Sequence, residues 1–256
     1  MDDAEVVLRV HGIRKAFGGL MVLDDVGFTV RRGQVCAVIG PNGAGKSTLF
    51  DIVGGVTAPD AGSVEFCGAD VTLLRPEQRA ARGMARTFQE LRLFESLSAF
   101  ENLAVPALNA AGSGLLSIVL GFPAERAARR SAHAMAEALL DRLRLRHRRN
   151  VAAGALSHGE KRLLEIGRAL ALKPRLLILD EPTSGLNAPN KRLFVETVLP
   201  ALREGVDAVV IIEHDMDVVM TVSDNVIVLA HGRKIAEGAP AGVQRNADVV
   251  REYFGT

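Results

Sequence analysis

Short, continuous apolar runs mark the strands that the sequence predicts. Such runs are typical of strands buried on both faces of a parallel sheet, and they occur at "QVCAVIG" (34–40), "RLLILD" (175–180), "AVVIIEH" (208–214) and "NVIVLAHG" (225–232). Further strands are predicted nearer the N-terminus, at "EVVLRV" (5–10), "VGFTV" (26–30) and "GSVEFCGADV" (62–71). A helical stretch separates each pair of the later strands, which favours a mainly parallel sheet with helical crossovers.

Helical spacing dominates from about Pro76 to Leu172. Apolar residues three and four positions apart predict an amphipathic helix over 124–145, with its apolar face at Ala128, Ala132, Met135, Leu139 and Leu143. Another helix begins at Ser157, which forms a capping box with Glu160, and its apolar face is Leu163, Ile166 and Leu170. The order of elements predicts an α/β fold: one domain over residues 1–256, with an N-terminal β-subdomain and a helical subdomain inserted at about residues 90–172.

Composition and charge narrow the function classes. The chain has 256 residues with 31 Lys+Arg and 30 Asp+Glu, so its net charge of +1 gives no overall attraction to nucleic acid or anionic lipid. Cys36 and Cys67 lie in predicted strands without CxxC spacing, which indicates neither a disulfide framework nor a zinc site. The apolar stretch 115–122 is far shorter than the roughly 18 residues that span a bilayer. The segment "MDDAEVVLRV" has no signal-peptide pattern, and we expect a cytosolic protein without a membrane span.

A glycine-rich segment between a predicted strand and a predicted helix matches the pattern G-x-x-x-x-G-K-[ST]. Its residues, with the threonine that follows, are Gly40, Pro41, Asn42, Gly43, Ala44, Gly45, Lys46, Ser47 and Thr48. Such a loop directs several backbone N–H groups at a phosphate, so the segment predicts an ATP-binding P-loop. Lys46 is expected to reach the β- and γ-phosphates and Ser47 to bind Mg²⁺. The alternative interpretation is a glycine-rich strand-to-helix turn.

Two adjacent carboxylates, Asp180 and Glu181, end the strand "LLILD", and Pro182 follows them. Because side chains alternate along a strand until the chain bends away, Asp180 can point to Mg²⁺ and Glu181 to the water that attacks the γ-phosphate. A solvated strand end is the alternative. The capped helix at Ser157 also offers backbone N–H groups to an anion, although an ordinary capped core helix explains the same pattern.

With "LSHGEKR" between these motifs, the chain resembles the ATP-binding subunit of an ABC transporter. The resemblance covers nearly the whole chain and is strongest to subunits of branched-chain amino-acid importers. It rests on "GPNGAGKST", "RTFQELRLFESLSAFENL", "LEIGRAL", "SGLN", "IEHDMDVVM" and "DVVREYFG". It implies a P-loop NTPase fold with an antiparallel β-subdomain, and an ATPase that energises import of branched-chain amino acids or a related small polar solute.

The resemblance also implies roles for further residues. Ser157 and the backbone of Gly159 would contact the γ-phosphate of ATP held by a second, head-to-tail ATP-binding subunit, in a homodimer or a heterodimer. Phe17 would stack on adenine, unless it is a core residue. Gln89 would sense Mg²⁺ and the attacking water, and with the segment 94–100 it would link to membrane permease subunits. His214 would orient the water, unless it is structural.

The same resemblance places the chain peripherally on the cytoplasmic face of the cell membrane. It predicts neither nucleic-acid binding nor direct contact with the solute. The alternatives are a soluble ABC-type ATPase that acts as an interaction factor and a different P-loop enzyme such as a small-molecule kinase.

Several positions depart from the family pattern or lie outside its motifs. His158 and Glu160 replace residues of the common LSGGQ sequence, and we expect the capping box to place the Glu160 carboxylate on the Ser157 N–H. Asn187 stands where the family often has Asp, in the loop that the resemblance places across from the other subunit. The arginines at 142, 144, 146, 148 and 149 are interpreted as a solvated helix end rather than a nucleic-acid patch. The segment 114–122 either packs in the helical subdomain or contacts a permease.

Overall fold

The computed structural model describes residues 6–87, 91–110 and 123–254. Its strands are β1 (Val6–Phe17), β2 (Leu20–Arg31), β3 (Val35–Ile39), β4 (Ala61–Phe66), β5 (Ala69–Asp70), β6 (Met84–Arg86), β7 (Leu176–Asp180), β8 (Ala208–Ile212), β9 (Asn225–Ala230) and β10 (Arg233–Gly238).

The helices follow the same chain order. They are α1 (Lys46–Gly54), α2 (Pro76–Ala80), α3 (Ala99–Ala110), α4 (Pro123–Arg142), α5 (His158–Ala171), α6 (Ala188–Leu193), α7 (Leu199–Arg203), α8 (Met216–Val222), α9 (Pro240–Val243) and α10 (Ala247–Phe254). Short 3₁₀ turns lie at Arg146–Arg148 and Ala153–Ala155, and a π-turn at Phe194–Val198 joins α6 to α7. No helix in these described ranges combines the length and hydropathy needed to cross a bilayer.

The chain divides into two units. The first contains residues up to 84, 175–182 and those from 206 onward, and the second contains 85–174 and 183–205. In the first unit, β2-β1-β4-β5 form an antiparallel sheet, as predicted for the N-terminal subdomain. The second sheet has the order β10-β9-β3-β8-β7-β6, and β9, β3, β8 and β7 are parallel. The predicted α/β class is confirmed.

The parallel strands bring their carboxyl ends to one edge of the sheet. Val38 of β3 pairs with Ile212 of β8, and Ile212 also pairs with Asp180 of β7. All residues of β3, β7 and β8 are buried, as their continuous apolar runs predict. The loops that follow these strands therefore start side by side, which is where ligands bind in open α/β sheets.

The sequence pattern missed two strands and misplaced one cysteine. β6 lies inside the region predicted to be helical, and β10 pairs antiparallel with β9 beyond the last predicted strand. β6 has three residues and β10 is half-exposed, so neither produces a long apolar run. Cys67 lies in the turn after β4 rather than in a strand, with a φ of +50°, while Cys36 lies in β3 as predicted. Both thiols are free.

In the second unit, α3, α4 and α5 pack around Gly167. A Cβ atom at Gly167 would lie 2.5 Å from Cδ1 of Leu143 and 2.8 Å from Cδ2 of Leu103, so this close approach requires glycine. The predicted apolar faces are confirmed at Ala132, Leu139, Leu143, Leu163, Ile166 and Leu170, all of which are buried. The long helix ends at Arg142 rather than at residue 145, because Arg144 adopts a φ of +58° that stops the helical ladder.

Candidate functional site

The loop between β3 and α1 is shaped by close approaches of neighbouring backbone. A Cβ at Gly45 would lie 2.7 Å from Cδ2 of Leu23 and 2.8 Å from the carbonyl oxygen of Val22, and the φ of Gly45 is +96°. A Cβ at Gly40 would lie 2.2 Å from the carbonyl oxygen of Leu229. Glycine at both positions lets the loop curl between β2 and β9 and begin α1 directly at Lys46.

Lys46 lies in this loop with its ammonium group turned to the backbone. Its Nζ donates to the carbonyl oxygens of Gly40 at 2.6 Å and Pro41 at 2.9 Å. Burial lowers the pKa of Lys46, and the carboxylates of Glu181 and Asp180 partly oppose that shift. The fold thus brings the P-loop lysine and the two adjacent carboxylates into one electrostatic environment, as their motifs suggested.

Glu181 leaves the strand immediately after Asp180. Asp180 ends β7 and is buried, whereas Glu181 has a φ of +45° and its N–H donates to the carbonyl oxygen of Ile212 at 3.0 Å. A left-handed glutamate is uncommon, and such residues cluster at functional sites. The chain therefore leaves the strand direction at Glu181, at the strand end where the sequence predicted a bend.

His214 follows β8 and lies beside Glu181. Its Nδ1 is 3.4 Å from Oε1 of Glu181. The histidine side chain is more than half exposed, while that of Glu181 is mostly covered. Two consecutive parallel strands therefore place a carboxylate and an imidazole in contact at the edge of the sheet where the P-loop lies.

Glu213, which the sequence analysis did not single out, lies one residue before His214 and is fully buried. Its Oε2 accepts from the N–H of His214 at 3.2 Å and of Asp215 at 3.5 Å. Asp215 in turn caps α8 through the N–H of Val218. The sequence does contain a signal for Glu213, because it is a charged residue between an apolar strand and a predicted site histidine.

Phe17 ends β1 with about half of its surface exposed. It pairs with Leu20 at the start of β2, the strand whose Val22 and Leu23 approach Gly45. This register places the aromatic ring on the hairpin next to the P-loop, with Nζ of Lys15 5.3 Å from the ring centroid. Phe17 is therefore not a core residue, which was the alternative interpretation.

The helix α5 begins with the capping box that the sequence predicted. Glu160 N–H donates to Oγ of Ser157 at 3.3 Å, and Ser157 N–H donates to Oε2 of Glu160 at 2.8 Å. Ser157 is exposed and Gly159 is buried. A Cβ at Gly159 would lie 2.6 Å from Nδ2 of Asn190, so a larger residue there would displace the Asn190 side chain.

The "SGLN" loop packs against the same helix end. A Cβ at Gly185 would lie 2.9 Å from Nε2 of His158, so this departure from the family pattern contacts the loop directly. Asn187 caps α6 by accepting from the N–H of Asn190 at 3.0 Å. Aspartate caps helices equally well, so Asn187 preserves this structural role of the family's residue.

We expected the arginine cluster to be a solvated helix end, but two of its arginines also bind side chains elsewhere in the second unit. Nε of Arg148 donates to Oε1 of Glu160 at 2.8 Å. Nε of Arg149 donates to Oε1 of Glu137 at 2.7 Å, and its guanidinium lies 4.2 Å from the ring centroid of Phe100. These contacts link residues far apart in the sequence, which spacing alone does not reveal.

Two predicted functional elements lie outside the described residues. Gln89 falls in the gap at 88–90, and the whole segment 114–122 falls in the gap at 111–122. Their expected roles stay predictions.

Comparisons with known proteins identify the family of the chain. The sequence model of the ABC transporter family matches residues 23–184. The high-affinity branched-chain amino acid transport ATP-binding protein BraF of Pseudomonas aeruginosa is 37% identical over 97% of this chain and 98% of its own. The lipopolysaccharide export system ATP-binding protein LptB of Escherichia coli is 32% identical over 97% of both chains.

A solved ATP-binding cassette of an ABC transporter, in its ADP conformation, has a TM-score of 0.81 and 32% identity, covering 98% of this chain and 99% of that one. Both named relatives serve transport and align over almost their full lengths, which does not favour the soluble interaction factor. The chain belongs to the ABC transporter family, and it is an ATP-binding subunit that hydrolyses ATP.

Proposed function

We propose that this subunit energises the import of branched-chain amino acids, or of a related small polar solute, through a separate membrane permease. BraF supports this solute class, since its identity of 37% exceeds the 32% of the lipopolysaccharide exporter subunit LptB. The subunit would act peripherally on the cytoplasmic face of the membrane. It would bind the permease and not the solute.

The P-loop residues bind the phosphates of ATP. Backbone N–H groups of the loop, which Pro41 lacks and residues 42–48 supply, surround the β-phosphate, and the Lys46 ammonium exchanges its carbonyl partners for phosphate oxygens. Because burial disfavours the charged lysine, a phosphate anion stabilises it more strongly than water does. Phe17 supplies an exposed ring on which the adenine stacks.

Glu181 and His214 carry the hydrolysis step. Glu181 accepts a proton from the attacking water, and His214 holds that water in line with the γ-phosphate. The 3.4 Å contact between Nδ1 of His214 and Oε1 of Glu181, beside the half-buried Lys46, is the observation that carries this assignment.

Ser47 and Asp180 fit a Mg²⁺ ion because a hydroxyl and a carboxylate are the hard oxygen donors that this cation prefers. Asp180 ends β7 at the sheet edge that the P-loop follows, Ser47 lies in the first turn of α1, and the charge of Asp180 acts on Lys46. When bound, Mg²⁺ would supply positive charge to the β- and γ-phosphates. Gln89 would contribute a further oxygen.

A second ATP-binding subunit, identical or homologous, completes each reaction centre. In a head-to-tail pair, the Ser157 hydroxyl and the Gly159 N–H of one subunit contact the γ-phosphate held by the other. Hydrolysis removes this contact and the pair opens. Gln89 and the segment 94–100 then pass the movement to the permease.

Replacing Glu181 by Gln tests the hydrolysis step. We expect turnover to fall by more than about 100-fold, the usual contribution of a general base, while ATP binding is retained and an ATP-bound dimer accumulates. Turnover is measured as phosphate release, and dimer formation by sedimentation. Glu204, an exposed glutamate in the second unit, provides the matched control Glu204→Gln. A Glu181→Gln protein with unchanged turnover would overturn the assignment.

The solute is tested in the complete transporter. The integral membrane protein that copurifies with this chain from native membranes is reconstituted with it in vesicles. We expect ATP-dependent uptake of leucine, isoleucine or valine that is lost with Lys46→Ala. Uptake of an unrelated solute instead would disprove the solute class and leave the ATPase assignment intact.

A further inference from the structure

Glu160 places a carboxylate beside the helix end that is proposed to hold a γ-phosphate. It lies three residues after Ser157, and its Oε2 accepts from the N–H of Ser157 at 2.8 Å. The Ser157 hydroxyl and the Glu160 carboxylate thus belong to one hydrogen-bonded turn. A carboxylate so near an incoming phosphate repels it unless its charge is compensated.

Compensation comes from a residue twelve positions earlier in the chain. Nε of Arg148 donates to Oε1 of Glu160 at 2.8 Å, and Nε2 of His147 lies 3.6 Å from the same oxygen. Both carboxylate oxygens are therefore occupied, one by Arg148 and one by the backbone of Ser157. The Glu160 side chain is mostly covered, which strengthens the pairing relative to an exposed pair.

The neighbouring arginines make different connections. Arg146 pairs with Asp141 at 2.6 Å and Arg149 with Glu137 at 2.7 Å, and both acidic partners belong to α4. Arg148 pairs instead with α5. Burial alone would raise the pKa of Glu160, but the bonds from Arg148 and Ser157 outweigh it and hold that pKa below its usual range. Glu160 is therefore ionised at neutral pH, and Arg148 is the counter-ion at hydrogen-bond distance from it.

We propose that Arg148 is a positioning residue for the phosphate site on α5: its guanidinium neutralises Glu160 and keeps that carboxylate on the Ser157 N–H. The helix end then stays attractive to the γ-phosphate of the opposite subunit despite the departure from LSGGQ. This inference rests on the proposed ATP-bridged dimer. It explains why a glutamate is accepted at this position.

The test measures ATP-dependent dimerisation in the Glu181→Gln background, where the dimer accumulates. We expect Arg148→Gln to weaken dimerisation about tenfold, since an uncompensated charge then faces each of the two phosphates. Arg148→Lys, which keeps the charge, should retain most of the dimer. Arg146→Gln removes the same charge from the same turn and is the matched control, with an expected change of less than about twofold.

A second substitution separates charge from structure. Glu160→Gln removes the carboxylate that Arg148 compensates, so Arg148→Gln combined with Glu160→Gln should dimerise within about twofold of Glu160→Gln alone. ATP affinity of the monomers and their thermal stability are measured in parallel. We expect Arg148→Gln and Arg146→Gln to match in both, because the P-loop and the fold are unaffected.

Two results would overturn the inference: dimerisation of Arg148→Gln equal to that of Arg146→Gln, or a double variant as weak as Arg148→Gln. The Ser157→Arg variant distinguishes these from a failure of the proposed dimer. If Ser157→Arg abolishes dimerisation while Arg148→Gln does not change it, only the role of Arg148 is wrong. If Ser157→Arg also dimerises normally, the shared phosphate site itself is wrong.

Discussion

Asn102, near the start of α3, is fully buried and organises the loop that precedes the helix. Its Nδ2 donates to the carbonyl oxygens of Phe94 at 3.0 Å, Leu97 at 3.2 Å and Ser98 at 3.0 Å. Its Oδ1 accepts from the N–H of Phe94 at 3.0 Å. One amide side chain therefore satisfies the backbone of the segment that is proposed to reach the permease.

Asn102→Asp should destabilise the protein by about 3 kcal/mol, because a buried carboxylate replaces the amide donor and faces three carbonyl oxygens. Asn187→Asp is the matched control. Its oxygen only accepts at a helix N-cap, where Asp and Asn are equivalent, so we expect a change within about 0.5 kcal/mol. Urea unfolding measures both. Equal effects of the two substitutions would show that the Asn102 amide donors are dispensable.

The two cysteines should differ in reactivity. Burial raises the pKa of the Cys36 thiol to about 12, and burial also raises that of Cys67, which is only partly covered. A raised pKa lowers the thiolate fraction at pH 8 and moves its formation to higher pH, so both thiols react more slowly than a free one. The reagent also has to reach the thiol. Cys67 is partly exposed, whereas Cys36 is enclosed in β3.

At pH 8 we expect a thiol reagent to modify Cys67 slowly in the native protein and Cys36 only after unfolding. The measurement is a thiol titration with and without urea. Cys67→Ser should abolish the native reaction and leave the urea-dependent one. Rapid modification of both thiols in the native state would contradict the burial of β3.

At the scale of single residues, the sequence predicts those site residues that belong to a short continuous motif. Lys46, Asp180 and Glu181 are of this kind, because fixed spacing after an apolar strand predicts where each side chain emerges. Arg148 and Asn102 are different, since their partners are far along the chain or are backbone carbonyls, and neither leaves a spacing signal. Gln89 lies outside the described residues, so its role is untested.

Among the elements, α1 is held at its two ends by different interactions. The P-loop forms its start, and Arg79 of α2 caps its end. Nη1 of Arg79 donates to the carbonyl oxygens of Ile52 at 2.7 Å and Val53 at 2.5 Å, and Nη2 and Nε donate to those of Thr72 and Leu74. Burial lowers the pKa of Arg79 to about 10, which still leaves the guanidinium charged at neutral pH. A cation at a helix C-terminus also opposes the helix dipole.

Arg79→Met should lower the free energy of unfolding by about 3 kcal/mol, since four carbonyl oxygens lose their donor in a buried place. Arg82→Met is the control. The Arg82 side chain is exposed and, within the part of the chain that the structure describes, donates a single hydrogen bond, to the carbonyl oxygen of Gln78, so its loss should cost less than about 0.5 kcal/mol. The midpoint of urea unfolding compares the two variants. A stable Arg79→Met protein would mean that water reaches these carbonyls.

Elements were predictable where burial is continuous or strongly periodic. β3, β7, β8 and β9 are buried along nearly their whole length, and α5 has a clear apolar face, so each leaves a pattern in the sequence. β6 and β10 do not, because they are short or half-exposed and their formation depends on pairing with β7 and β9. Their existence is decided by tertiary structure rather than by local preference.

At the scale of the whole molecule, the residues proposed to act on one ATP are divided between the two units of the chain. The P-loop, Asp180, Glu181 and His214 belong to the first unit, and Ser157 and Gly159 belong to the second. If one copy used both sets for the same ATP, a second copy could not compensate for a defect in either set. If they serve opposite copies, two different defects can complement each other.

Mixing two inactive variants therefore tests the head-to-tail arrangement. Lys46→Ala destroys the P-loop and keeps the helix end at Ser157, whereas Ser157→Arg does the reverse. In a mixed dimer, the intact P-loop of one copy meets the intact Ser157 of the other, so one of the two sites is complete. Because neither variant completes a site with itself, only mixed pairs hydrolyse ATP, and with one complete site out of two they reach at most about half of the normal turnover. Each variant alone stays inactive at every concentration and provides the control. If the mixture stays as inactive as its components while an affinity tag on one variant captures the other variant with it, each ATP is served by a single copy.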